Sequence, residues 1–362
     1  MSDKPKLRAG DNGATGMVGQ RFLTLLENHP YFEIAYLAAS PSSAGKTYED
    51  AVKGRWKLSL PCPGEALSMV VHNGENIRGA AGKCDFIFCA VEDADKQKIK
   101  LLEEAYARAE IPVVSNNSVN RHTPDVPMII PEVNPRHADI IPSQKARLGT
   151  KKGFIAVKPN CSVQSYVPPL TPLMDFGPVS VLVSTYQAIS GAGKTFESFP
   201  EILDNIIPFI GGEEEKSEIE PLKIWGSIKN GAIETAGDIK ISSQCIRVPV
   251  SDGHLASVFV KFREKPSKDV ILKRWADFEG LPQTLALPHA PAKFLTYMDE
   301  NDRPQTRLDR DLYGGMGISV GRLREDSVFD YKFVCLSHNT LRGAAGGGLL
   351  TAELLYALGY LY

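Results

Sequence analysis

The sequence predicts an α/β protein in two parts: a Rossmann-type parallel-sheet nucleotide domain, and an α+β catalytic and oligomerisation domain built on a mixed sheet. Three observations carry this. Short apolar runs alternate with helix-spaced segments over the first half, which is the signature of strands joined by crossover helices. A glycine-rich turn, "GATGMVG", stands between the first strand and the first helix. The second half changes rhythm to long strands rich in Val, Ser and Phe. At 362 residues the chain also exceeds what one core usually holds, so two domains are expected.

The elements follow in order. "KLRAG" leads into the glycine turn, and Val18, Phe22, Leu25 and Leu26 then recur at helical spacing. "FEIAYLAAS", "SMVVH", "CDFIFCAV" and "IPVVSN" read as strands, with "DADKQKIKLLEEAYARA" as a helix before the last of them. "VSVLVSTYQAIS", "HLASVFVKFRE" and "SVFDYKFVCLSH" are the strands of the second sheet. Between them "GGEEEKSEIEPLKIWGS" opens either a helix, whose glutamates face a positive N-terminal dipole, or a solvated turn. The closing "NTLRGAAGGGLLTAELLYALGYL" is expected to return to the first domain. The nucleotide domain is then residues 1–158 plus 340–362, and the catalytic and oligomerisation domain 159–339. Asp11 and Asn12 sit where a central strand should be apolar, so either they lie in the loop, facing solvent or cofactor, or the first strand is short.

Composition narrows the function classes. A formal charge of -2, with 43% hydrophobic and 23% charged residues, shows no bias toward a nucleic-acid partner. No run of about 18 apolar residues occurs and "MSDKPKLRAG" lacks a signal-peptide core, so a cytoplasmic protein is expected. The six cysteines are scattered without a C-x-x-C pair, which speaks against disulfides and a metal site. Cys84, Cys89 and Cys335 lie in apolar strands and read as core.

Gly13, Gly16 and Gly19 of the turn let a phosphate approach main-chain N–H groups at the helix start. The strand "FEIAYLAAS" ends without the carboxylate that would accept a ribose 2'-hydroxyl. Ser40, Ser42 and Ser43, with Lys46 beyond, suit a 2'-phosphate, which points to NADP(H). In "AVKPNCSVQS", Cys161 follows a Pro-Asn pair and opens an amphipathic stretch, so a helix N-terminus is expected to lower its thiol pKa. "RVPVSDGH" offers Arg247 and His254 to one cleft, and "STYQAISGAGKTF" a strand ending in Gln187 before a flexible turn.

Taken together, "GATGMVGQRF", "PNCS", "TYQAISGAGK", "RVPVSDGH" and "NTLRGAAGGG" resemble the aspartate-semialdehyde dehydrogenase family, in its archaeal and fungal branch, over nearly the whole chain. The resemblance implies Cys161 as nucleophile, His254 as acid/base and Gln187 as a residue orienting the acyl group. It implies Arg247 on the substrate carboxylate, Glu213 on the amine with Glu214 as the alternative, and Arg121, Asn160 and Lys216 on phosphate. For NADP it implies Gly13, Ala14, Thr15, Gly16, Met17, Val18, Ser40, Ser43, Ser190, Gly191 and Asn339. The implied partners are small molecules, β-aspartyl phosphate or the semialdehyde with phosphate, and a homodimer or homotetramer is the expected assembly. Malonyl-CoA reductase and, more remotely, N-acetyl-glutamyl-phosphate reductase share the architecture; an acidic residue at the amine site separates them from the dehydrogenase.

Overall fold

The computed structural model describes residues 5–362, and the first four residues of the polar N-terminal stretch lie outside them. The first half forms a parallel sheet of β1 (Leu7–Asn12), β2 (Phe32–Ala39), β3 (Val71–Asn73), β4 (Phe86–Cys89), β5 (Val113–Ser115) and β6 (Ile155–Val157). Its order, β3-β2-β1-β4-β5-β6, is the doubly wound dinucleotide-binding arrangement, which places a ligand crevice where the order reverses beside β1. The four residues of β4, Phe-Ile-Phe-Cys, are buried throughout, as a strand covered on both faces requires.

The second half forms β7 (Pro178–Gln187), a hairpin of β8 (Ser227–Lys229) and β9 (Ala232–Glu234), then β10 (Lys240–Arg247), β11 (His254–Phe262), β12 (Leu295–Met298), β13 (Ile318–Glu325) and β14 (Tyr331–Ser337). Six of these make a mixed sheet in the order β10-β7-β11-β14-β13-β12, with β10 parallel to β7 and β11 antiparallel to both neighbours. The glutamate run opens a helix, Glu213–Ile224, with three acidic residues in its first turn. No helix among the described residues is long and apolar enough to cross a membrane.

The C-terminal helix Gly346–Ala357 packs on the glycine-loop helix Met17–Leu26, sharing a core in which Leu349 and Leu350 join Phe22, Phe86 and Phe88. It is buried nearly all round, which explains its uniformly apolar sequence. Two buried charge clusters anchor it. Arg342 makes a bidentate pair with Glu132 at 2.7 and 2.9 Å, both side chains fully buried. Glu353 accepts from His29 Nε2 at 2.9 Å and from His289 Nδ1 at 2.5 Å. His29 Nδ1 accepts the main-chain N–H groups of Tyr31 and Phe32, so its proton sits on Nε2, facing the carboxylate.

One expectation is corrected. Asp11 and Asn12 are neither in a loop nor beyond a short strand: β1 runs through both, pairing Asp11 with Leu37 and Phe88, and both are buried. The backbone ladder decides the conformation, and each side chain adapts. Asn12 donates from Nδ2 to the Gly74 carbonyl at 3.2 Å. Asp11 finds no partner for either carboxyl oxygen, and burial pushes its pKa up to about 8. Holding its proton is how this acid avoids an unpaired buried charge.

The sign of the consequence is fixed. The folded state binds this proton up to about pH 8 while the unfolded chain releases it near 3.8, so Asp11 makes stability fall as pH rises between those values. Replacing it, Asp11→Val, is expected to raise Tm at neutral pH. In thermal scans the gap between variant and wild type should widen from pH 4 to pH 8; parallel curves would contradict the assignment.

Candidate functional site

A cavity of about 840 Å³ runs from the glycine loop, past the ends of β2, β4, β5 and β6, to the start of the Glu213–Ile224 helix. Gly13, Thr15, Gly16, Met17 and Val18 form its nucleotide end. A Cβ on Gly13, whose φ is +114°, would lie 2.4 Å from the Ala90 carbonyl oxygen, and one on Gly19 would lie 2.3 Å from the Gly13 oxygen. The loop therefore closes only with glycine, and it leaves the first N–H groups of the Met17–Leu26 helix facing the cavity. Ser40 lines the wall after β2 with no carboxylate on that strand end, as do Arg55 and Lys57. These donors fit a dinucleotide carrying an extra phosphate.

Two cofactor residues expected from sequence lie behind this wall. Ala14 is buried, with its N–H spent on the Ala38 carbonyl and its carbonyl on the Tyr48 hydroxyl. Ser43 turns inward and its hydroxyl has no partner. Lys46 does not line the cavity either; Lys57, which donates to the Gly193 carbonyl at 3.0 Å, and Lys98 do.

The reactive end is built around Asn160. Its main-chain N–H donates to Glu220 at 2.6 Å, its Nδ2 to both oxygens of Glu213 at 2.9 Å, and its Oδ1 accepts from the N–H and hydroxyl of Ser162. These bonds join the end of β6 to the Glu213–Ile224 helix and leave Cys161, half-buried, on the cavity wall. The helix after it, Val163–Leu170, starts two residues beyond the thiol. It is buried on every side instead of amphipathic, because the two halves of the protein pack against it from both directions.

The thiol also differs from expectation. Burial and the Glu213 carboxylate push the Cys161 pKa up, while Lys158, Arg121 and Arg247 pull it down. Cys161 precedes the N-cap, Ser162, and so lies outside the first turn, and burial is the largest influence on its thiol.

Opposite, His254 begins β11 fully buried. Its Nδ1 accepts the Ala188 N–H at 3.1 Å, which places the imidazole proton on Nε2, and Nε2 has no protein partner. Burial and Arg247 lower its pKa to about 3, so it is neutral. Arg247 is buried and held by the Ala188 carbonyl at 2.5 Å. Both approach Gly191 on the cavity wall, where an added Cβ would meet Arg247 Nη1 at 3.0 Å and His254 Nε2 at 3.1 Å. Gln187 donates to Glu213 at 3.3 Å, and Lys216 to Glu213 at 2.9 Å. Burial works to raise the Glu213 carboxyl, but Lys216 and Asn160 outweigh it and hold it below the ordinary range. Glu214 instead turns to the Cys245 N–H on β10, so Glu213 is the glutamate that faces the cavity. Asn339 lines the cavity beside Ser190, donating to its hydroxyl at 2.8 Å and accepting the Gly253 N–H.

Glu220 and Lys158 join this set without having stood out in the sequence. Glu220 accepts from Arg121 at 2.8 Å as well as from Asn160, and Arg121 also donates to the Asn116 carbonyl. Lys158 is buried in the cavity wall, where burial and Arg121 push its pKa down to about 7. The sequence signal for both is a charged residue inside an otherwise buried run, "FIAVKPNC" for the lysine.

A doubly wound nucleotide domain joined to a mixed-sheet domain, with a cysteine on the shared cavity, defines a dinucleotide-dependent dehydrogenase of aldehydes. Two family models match in that order: semialdehyde dehydrogenase, NAD binding domain, over residues 12–141, and semialdehyde dehydrogenase, dimerisation domain, over residues 170–342. Aspartate-semialdehyde dehydrogenase of Methanothermobacter thermautotrophicus is 44% identical over 352 residues, covering 96% of this chain and 99% of the relative. That of Saccharomyces cerevisiae is 43% identical over 363 residues, covering 96% and 97%. The crystal structure of the Candida albicans enzyme with NADP superposes with a TM-score of 0.87 at 39% identity, covering 98% of this chain and all of that one. A Vibrio cholerae structure at 23% identity and TM-score 0.74 shares the fold. The chain belongs to the aspartate-semialdehyde dehydrogenase family.

Glu220 offers a stability test of the joint. Glu220→Ala strips a carboxylate from both Arg121 and the Asn160 N–H, and loss of one partner of a buried ion pair costs about 3–5 kcal/mol. Urea unfolding should report a loss of that order; a change below about 1 kcal/mol would show that the pair is idle.

Proposed function

We propose that the chain interconverts β-aspartyl phosphate and aspartate semialdehyde with NADP(H), through a thioester on Cys161, in the cytoplasm. This is the reductive step of the aspartate route to lysine, threonine, methionine and isoleucine. The observation that carries the reading is that Cys161 and Glu213 line one cavity with the glycine loop, while Arg247 and the neutral His254 stand behind its Gly191 wall.

Each group has a task that its geometry allows. The Cys161 sulfur attacks the β-carbonyl carbon; the S–C bond forms, the C–O bond to phosphate breaks, and inorganic phosphate leaves. Arg121, Asn160 and Lys216 supply donors for that anion. Arg247 holds the substrate α-carboxylate with its guanidinium fork, and Glu213 takes the α-ammonium. Gln187 orients the acyl group from the same side. The glycine-loop residues Gly13, Thr15, Gly16, Met17 and Val18 would hold NADPH, which when bound would supply hydride for reduction of the thioester. His254 shares its Nε2 proton with the hemithioacetal oxygen in a hydrogen bond as negative charge develops there, and collapse of that oxyanion breaks the C–S bond, releasing the aldehyde and the thiolate. The fixed tautomer turns that N–H, and not a lone pair, toward the Gly191 side of the cavity.

We place a second copy of the chain on the exposed face of the mixed sheet. Leu182 and Tyr186 on β7 and the nearby Leu203, Ile206 and Phe209 are exposed there, a concentration of apolar surface that a lone subunit rarely carries. The assembly is then a homodimer, or a tetramer of two such pairs.

Purified protein mixed with aspartate semialdehyde, phosphate and NADP should generate NADPH, with NAD a poorer cofactor. Cys161→Ser should lower kcat by about 10³-fold or more, whereas Cys335→Ser, buried on β14 beside Ala256 of β11, should leave it near wild type. Turnover restricted to a CoA thioester, or full activity in Cys161→Ser, would overturn the assignment.

A further inference from the structure

The segment that carries Arg121 is neither strand nor helix. Residues 116–127, after β5, run as turns and coil, yet Asn120, Arg121, Asp125 and Val126 in it are buried, so its polar groups need partners from elsewhere. Two buried charged side chains supply them from opposite sides. Glu103, on the helix Lys96–Arg108 of the nucleotide domain, accepts from the Ser115 hydroxyl and from the side-chain amides of Asn117 and Asn120. Lys223, near the end of the Glu213–Ile224 helix, donates to three main-chain carbonyls: those of Arg121 at 2.7 Å, Thr123 at 2.7 Å and Val126 at 2.8 Å. An ammonium has three N–H groups, so none is left over for a substrate. Burial pushes its pKa down to about 8 against the pull of Asp125 and Glu220, and at neutral pH it keeps the proton that the third bond needs.

The same helix face reaches the reactive end. Glu213, Lys216, Glu220 and Lys223 recur at the three- and four-residue spacing that aligns side chains along a helix. Glu213 lines the cavity with Lys216 bonded to it. Glu220 accepts from the Arg121 guanidinium at 2.8 Å and from the Asn160 N–H at 2.6 Å. Lys223, one turn further, takes the carbonyl of Arg121 itself. Arg121 is therefore gripped at its tip and at its main chain by one face of one helix. Nη1 bonds to Glu220 and Nη2 to the Asn116 carbonyl, and each keeps a second N–H for an anion in the cavity that Arg121 lines. The tip contacts alone would not fix that direction, because the long arginine side chain can tilt about them whenever its main chain shifts.

We propose that Lys223 is a positioning residue for phosphate: by fixing the main chain at Arg121, Thr123 and Val126 it sets where the Arg121 guanidinium meets the anion, without touching the anion itself. A misplacement of about 1 Å at such a donor is enough to weaken a site by an order of magnitude or more. The inference rests on the reading of Arg121 as a phosphate ligand in the proposed function.

The test is a double-mutant cycle on wild type, Lys223→Met, Arg121→Gln and the double variant, assayed with aspartate semialdehyde, phosphate and NADP after circular dichroism has shown each to be folded. Lys223→Met should raise KM for phosphate about tenfold or more, leave KM for semialdehyde and for NADP within about twofold, and regain kcat at saturating phosphate. The double variant should be no worse for phosphate than Arg121→Gln alone, since Lys223 then has no guanidinium to position. Lys223→Gln, which keeps two N–H donors, should show the same shift in smaller size and takes the place of the methionine variant if that one does not fold. A wild-type KM for phosphate in the folded Lys223 variants, a fall in kcat with every KM unchanged, or single effects that multiply in the double variant would each overturn the proposal while Arg121→Gln still raises that KM. If Arg121→Gln leaves it unchanged, or the wild type does not depend on phosphate, the reading of Arg121 fails and the proposal with it, so the two failures are distinguishable.

Discussion

The hydrogen-bonded joint at Asn160 is the constraint on which the reactive end depends. Its backbone ends the crossover from β6, its side chain turns the chain into the Val163–Leu170 helix through Ser162, and its N–H groups reach Glu220 and Glu213 on a helix of the second domain. A residue with only one hydrogen-bonding atom could not make these connections. Because Cys161 is the next residue, its sulfur is placed by contacts from both halves of the molecule, and no single element sets its position.

The electrostatics follow from the same joint. Glu213 and Glu220 are buried, and such charges persist only where cations and amide donors meet them. Arg121 and Lys216 serve that need, and the site is thereby a set of short-range pairs rather than a diffuse positive pocket. His254 shows the opposite solution: with no carboxylate hydrogen-bonded to it, it stays neutral and keeps its proton on Nε2, beside Gly191 of the cavity wall. Neutral and charged groups thus sit close together, each state set by its own environment.

The architecture was legible in the sequence because its signals are local. Buried parallel strands such as "CDFIFCAV" and the spaced glycines of "GATGMVG" report their surroundings directly. So do the long alternating strands β7 and β11. The misreadings share a different origin. Asp11 looked like a loop residue because a carboxyl in a central strand is costly, and the cost is met by a proton that no pattern displays. The Val163–Leu170 helix looked amphipathic because Gln164, Ser165 and Tyr166 are polar, yet packing from both sides buries them. Ala14 and Ser43 belong to the right loops but point away from the cavity, an orientation that depends on Tyr48 and on the turn after β2. Lys158 and Glu220 are residue types that ordinarily face water, and only the three-dimensional convergence on Asn160 and Cys161 marks them.

The central claim is that this geometry builds an acyl-enzyme on one sulfur. Protein incubated with β-aspartyl phosphate and no reduced cofactor, then quenched in acid and digested, should carry one aspartyl group on the peptide containing Cys161, with inorganic phosphate released in equal amount. Addition of NADPH before the quench should discharge that label as aspartate semialdehyde. A label on any other residue, or semialdehyde formed with no thioester at any time, would contradict the structure-based mechanism.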